Sequence, residues 1–359
     1  MKKFPLLGLG IISLLGGVWA GFLRLSIPIP FPPWNPNLSL VHGPLMVSGF
    51  LGTVLGLERA VALRKPWAFL SPFLTGIGGI ILLSGLNYPA GIISILIGSL
   101  FFVIINFFLI RIQPSFSAFV MGAGALSWAA GNILWFLGKS IPHILLFWAG
   151  FLIFIIAGER LELSQMQKLP KMAIFIFITA SILFLGGASV SEYVYPLGNA
   201  LAGIGMILFS IWLIQFDIAR KTIRKPGLPR FAAVSLLSGY VWLGFSGLSF
   251  LAFSSHLSGF HYDIALHTLF LGFVFSMIFG HACIIFPAIL GLPIQFQNQY
   301  YFYLILLALS LAVRMLGDLT GQVTIQQWGG IGNAAAILLF LAQMIFSILT
   351  GIKHGFQQS

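Results

Sequence analysis

The chain breaks at short intervals into apolar runs, near residues 5–25, 40–62, 67–86, 90–110, 115–137, 143–163, 172–190, 197–219, 231–253, 264–290, 299–316 and 329–350. About 20 apolar residues are enough for a helix to cross the hydrocarbon layer of a bilayer. Inside that layer a run can satisfy its backbone polar groups within itself only as a helix. The runs end at Pro, Gly, Asn or a charge and consume nearly all 359 residues. The expected fold is therefore an all-α integral membrane protein of about twelve transmembrane helices, one polytopic membrane domain over residues 1–359. Only 7% of the residues are charged, against about 25% in soluble domains.

This composition leaves no room for an extramembrane catalytic domain. The single cysteine, Cys283, excludes an intrachain disulfide and a cysteine-based zinc site, so a metal would rest on His, Met or carboxylate. No P-loop, nucleophile elbow or Gly-rich dinucleotide turn stands in a strand-to-helix context. The net charge of +11 reads as topology, because Lys and Arg collect on cytoplasmic loops. With Lys2 and Lys3 inside, fifteen of the eighteen Lys and Arg residues fall on that side, leaving Arg24, Lys139 and Arg314 outside. A cytoplasmic (inner) membrane location with both termini cytoplasmic follows. The densest cluster, Arg220, Lys221, Arg224, Lys225 and Arg230, reads as a solvated loop facing lipid, with no nucleic acid as partner. Val18-Trp19-Ala20 after the first apolar stretch also resembles a signal cleavage site; the charge bias favours retention of the first helix.

Three helices echo one another. Gly49-Phe50 is followed nine residues on by Glu58-Arg59, Gly150-Phe151 by Glu159-Arg160, and Gly272-Phe273 by His281. The second, sixth and tenth spans are four apart. This suggests three four-helix units around a pseudo-threefold axis (1–111, 115–225 and 231–353), with Glu58, Glu159 and His281 at one depth. Glu-Arg pairs at helix ends that reach for the headgroups explain the same pattern without a site.

Six of the seven histidines, His42, His143, His256, His261, His267 and His281, lie on or near those three spans, and His354 is in the tail. Imidazole in a bilayer is costly unless paired or ligating. On a regular helix His267 and His281 share a face about 21 Å apart, on a stripe with Asp263 and Met277. His42, with Pro44 behind it, opens the second helix at a depth matching His267. Two neutral imidazoles from different helices are what bis-histidine ligation of a haem iron requires.

The segments His42-Gly43-Pro44-Leu45-Met46 with Gly49-Phe50, and His267-Thr268-Leu269-Phe270-Leu271-Gly272, resemble the NnrS family, polytopic haem- and copper-containing membrane proteins tied to nitric oxide stress. More distantly the chain is similar to subunit I of haem-copper oxidases and nitric oxide reductases. The resemblance implies His42 and His267 as axial ligands of haem b, and a helix-six metal ligand on or near His143. Residues 172–190 contain no histidine and the tenth helix has no His-x-His, so an oxygen-reducing copper centre is not expected.

The first expectation is a haem-binding redox or nitric-oxide-handling protein. His281, Glu58, Glu159 and His143 are candidates for a second metal such as copper or iron, with His261, Met277, Arg59 and Arg160 alongside. On a straight helix His42 and Glu58 point about 160° apart, which Pro44 could relieve. A proton- or ion-coupled transporter is the alternative, with a break near Pro287 and Gly291-Leu292-Pro293. A non-catalytic anchor subunit is the third. Redox partners or further membrane subunits are the expected protein contacts, with the lipid bilayer as solvent.

Overall fold

The computed structural model describes residues 3–165, 168–290 and 296–356, with side chains placed for all but 165, 286–290 and 348–356. Among the described residues twelve helices are long and apolar enough to cross a membrane. They are α1 (Lys3–Arg24), α2 (Leu38–Leu63), α3 (Pro66–Ser84), α4 (Tyr88–Ile112), α5 (Phe116–Phe136), α6 (Ile141–Ser164), α7 (Lys171–Val190), α8 (Tyr195–Phe216), α9 (Leu228–Ala252), α10 (Gly259–Ile285), α11 (Gln299–Thr320) and α12 (Val323–Ser347). The protein is a multi-pass, all-α membrane protein. Most helices begin a little before their apolar runs, and α10 and α12 begin furthest ahead: α10 takes in Asp263 and α12 takes in Gln326. Both residues lie outside the apolar runs read from sequence, yet each is hydrogen-bonded across helices, which removes the cost of placing it in a span.

The chain folds as two compact units, Met1–Glu159 and Arg160–Ser359. In the first, close backbone approach is set by small residues, as is usual where lipid gives helices no hydrophobic drive to associate. A Cβ on Gly79 would stand 3.0 Å from the Gly49 Cα, and one on Gly78 would stand 2.9 Å from the Gly91 carbonyl oxygen. Aromatic rings fill the space between α4, α5 and α6: Trp128 stacks on Phe151 at 4.4 Å between centroids, and Phe102 meets both edge-on. The buried indole N–H groups find acceptors, Trp128 donating to the Ser48 hydroxyl and Trp148 to the Asn132 side-chain Oδ1. In the second unit, α9 packs on α8 and α10 through Gly203, Gly247 and Gly272, the last lying against Trp242. The Trp212 indole donates to the Ala173 carbonyl, tying α8 to α7.

Neither α2 nor α10 is a uniform α-helix. Leu45–Gly52 and Thr268–Phe275 are π-helical, with wider turns closed by i→i+5 bonds. The two segments begin four residues before Gly49 and Gly272 respectively, so they coincide in the register of the Gly-Phe echo. Helix α6 carries the same Gly150-Phe151 pair in regular α geometry. Straight-helix projection therefore does not hold along α2 or α10. The π turns change the angle swept per residue along α2, so the 160° offset expected between His42 and Glu58 does not carry over, and they interrupt the regular spacing from His267 to His281.

Candidate functional site: two held imidazoles and two buried ionic nodes

In the first unit, His42 stands half-buried at the head of α2, against α1. Its Nδ1 is 2.8 Å from the Gly17 carbonyl oxygen. A carbonyl only accepts, so Nδ1 carries the hydrogen and the lone pair of the neutral ring is on Nε2. The ring lies flush with α1 because residue 21 is glycine: a Cβ there would be 3.1 Å from the imidazole Cε1. Three residues on, the π segment begins, and its Ser48 and Gly52 receive the Trp128 indole.

At the other end of α2, Glu58 is half-buried and the Arg59 guanidinium forms an ion pair with Glu159 of α6. His143, at the opposite end of α6 from Glu159, is exposed and within 2.9 Å of the Ser140 hydroxyl. Sixteen helical residues separate His143 from Glu159, or about 24 Å, so these two metal candidates do not meet.

In the second unit, His267 is fixed on α10 by its own preceding turn. Its Nδ1 lies 2.9 Å from the Asp263 carbonyl oxygen and 3.1 Å from the Asp263 carboxylate. Both are acceptors, so this ring too holds its hydrogen on Nδ1 when neutral. The Asp263 carboxylate is gripped from the far side by Arg314 of α11, through Nε at 2.7 Å and Nη2 at 2.8 Å. One turn further along α11, the buried Asp318 accepts from the Gln326 amide through Oδ1 at 2.6 Å. Arg314, which charge counting puts on the outer side, is buried and ion-paired. His261 is exposed and stacks on Phe253 at 4.0 Å.

The second node of this unit gathers around Arg160 of α6. Its Nε donates to Asp217 at 2.8 Å, and its Nη1 lies 3.1 Å from the His281 Nε2. His281 Nδ1 is 2.9 Å from the Met277 carbonyl oxygen, which makes Nδ1 the donor and Nε2 the acceptor of the Arg160 hydrogen bond. The Tyr240 ring, wholly buried, lies beside Asp217 and Arg160; its hydroxyl completes no hydrogen bond of ordinary geometry there. Met277 packs its methyl against Gly239 of α9.

Of the proposed second metal set, Glu159 is thus engaged by Arg59 and His281 by Arg160. Among the described residues no three His, Cys, Asp or Glu side chains gather to hold a metal ion. The break at Gly291-Leu292-Pro293 and the side chains of Pro287 and His354 lie outside the described residues. Sequence reading missed Asp217, Tyr240, Asp318 and Gln326. The available signal was scarcity: with seven acidic residues in the chain, a carboxylate at the end of a span is a candidate partner for an arginine buried in one.

These features define a class, a multi-pass membrane protein with, among the described residues, twelve candidate spans and two π-interrupted helices, each carrying a histidine close before its π segment. The chain belongs to the family described as Domain of unknown function (DUF8744), which matches residues 3–349. No curated protein and no solved structure matches it.

Proposed function

We propose that the chain is a haem-binding redox or nitric-oxide-handling protein of the cytoplasmic membrane, with His42 and His267 as axial ligands of haem b through Nε2. The reading rests on the tautomer that each ring's surroundings select. An imidazole whose Nδ1–H is tied to a carbonyl or carboxylate presents the Nε2 lone pair in a fixed direction, the arrangement common to metal-ligating histidines. Gly17 supplies that acceptor for His42, and Asp263 supplies it for His267. Both rings stand within three residues of a π segment, and such segments frequently mark functional sites.

An iron porphyrin would supply one-electron chemistry and a coordination site for a diatomic ligand. The chain's own part is to orient the two rings and to surround them with apolar and aromatic side chains. Glu58, Glu159, His143 and His281 do not fit a second metal, since two of them are held by arginines and His143 lies far from Glu159, so no step is assigned to copper or to a second iron. Electrons would come from a redox partner or a neighbouring membrane subunit, with both termini on the cytoplasmic side.

The test is the visible spectrum of the purified full chain after expression with haem supplied. A Soret band that is lost in both His42→Ala and His267→Ala supports the reading. Colourless protein overturns it. That outcome favours proton- or ion-coupled transport, for which the Asp263–Arg314 and Asp318–Gln326 pairs on neighbouring spans are the specific support, since ionisable groups inside spans commonly mark ion paths.

A further inference from the structure

We infer that the turn joining α8 to α9 is a binding site for the phosphate of an anionic phospholipid. Five cations, Arg220, Lys221, Arg224, Lys225 and Arg230, fall within eleven residues that contain no Asp or Glu, and all five are exposed. The nearest carboxylate in sequence, Asp217, is turned inward. Its Oδ2 accepts from Arg160 at 2.8 Å and its Oδ1 accepts the Ala219 N–H at 2.6 Å, so it is spent on a buried guanidinium and a helix start. Among the described residues no carboxylate forms an ion pair with these five cations.

The charges sit on a folded scaffold and not on a loose loop. A one-turn helix, Ala219–Thr222, is continued by backbone hydrogen bonds from Ile223 to Ala219, Arg224 to Lys221 and Lys225 to Thr222. Two guanidiniums brace the turn from either end, Arg220 donating to the Gln215 carbonyl at 2.9 Å and Arg230 to the Ile223 carbonyl at 3.2 Å. Gly227, at φ +72°, lets the chain reverse into α9. Lys221, Arg224 and Lys225 are thereby presented together between two span ends.

Depth selects the ligand. The turn lies between the end of α8 at Phe216 and the start of α9 at Leu228, where the bilayer offers phosphate. Beside it the partly exposed Tyr301 phenol lies within the field of Arg230. Tyrosines are enriched at headgroup depth. Clusters of four to eight Lys and Arg immediately next to a span recognise anionic headgroups.

The full chain is placed in nanodiscs of phosphatidylcholine with a minor fraction of phosphatidylglycerol, and the lipid retained on extraction is quantified. Phosphatidylglycerol should be enriched over its bulk share, by about fivefold for each cation engaged. The variant Lys221→Gln/Arg224→Gln/Lys225→Gln should return the ratio to bulk, while removing two charges at the α6–α7 connection, Lys168→Gln/Lys171→Gln, should leave it unchanged. Where the triple variant does not reach the membrane, the three single substitutions carry the test, each lowering the enrichment. Equal loss in the α6–α7 variant, no enrichment in the unaltered chain, or displacement of the lipid by inorganic phosphate would each overturn the inference.

Discussion

Arg160 and Asp217, fifty-seven residues apart, meet at 2.8 Å with only 4% and 2% of their surfaces exposed. The carboxylate also starts the short helix that follows it. Removing one partner strands the other charge where water cannot reach it, at a cost of about 3–5 kcal/mol. Asp217→Ala should therefore lower the thermal unfolding midpoint sharply, and Arg160→Met/Asp217→Leu should recover much of the loss. A double variant no more stable than Asp217→Ala would show that the pair is not the source of the cost.

The pair one residue earlier behaves differently. Arg59 and Glu159 keep 11% and 28% of their side chains exposed, so the carboxylate in particular retains contact with solvent. Breaking this pair should cost no more than about 1 kcal/mol, the upper range for accessible ion pairs. Arg59→Glu and Glu159→Arg should each destabilise by like-charge contact, and the swapped double variant should restore the unfolding midpoint. Failure of the swap to restore it would mean that the register, and not the charge, is what matters there.

The span count was legible in the sequence because a bilayer imposes one length on every helix, and twelve apolar runs meet it. The starts of α10 and α12 were not legible, because Asp263 and Gln326 lie outside the apolar runs and the sequence does not show that Arg314 and Asp318 face them. The π segments have no compositional signature either. The Gly-Phe echo at residues 49 and 272 marked their register without revealing their geometry. His42 and His267 could be picked out as unusual, but the acceptors that fix their tautomers, one of them a backbone carbonyl on α1, have no imprint in a linear text. The partner of Arg160 was hidden for the same reason.

Glycine 21 is the fixed wall behind His42. A larger side chain there meets the ring, since even a Cβ would stand 3.1 Å from Cε1. Gly21→Leu should push the imidazole away from the Gly17 carbonyl and reduce bound haem by at least tenfold, while Gly8→Leu, at a position with open space around it, should leave haem content unchanged. Absorbance titration with haem reads both. Equal binding in the two variants would count against orientation of His42 by α1.

Asp263 does two jobs that can be separated. Its backbone carbonyl accepts from His267 at 2.9 Å, while its side chain holds Arg314 through two hydrogen bonds and touches the same imidazole nitrogen at 3.1 Å. Asp263→Ala deletes only the second set. The Arg314 guanidinium then remains buried without its bidentate partner, and stability should fall by about 3–5 kcal/mol. The ring should still be held in the same tautomer by the carbonyl, so the Soret band should persist at low temperature even as the unfolding midpoint drops. If the band disappears in folded Asp263→Ala protein, the carboxylate and not the backbone sets the ligand. If stability is unchanged, Arg314 finds another counter-charge, and Asp318, four residues along the same helix, is the group to substitute next.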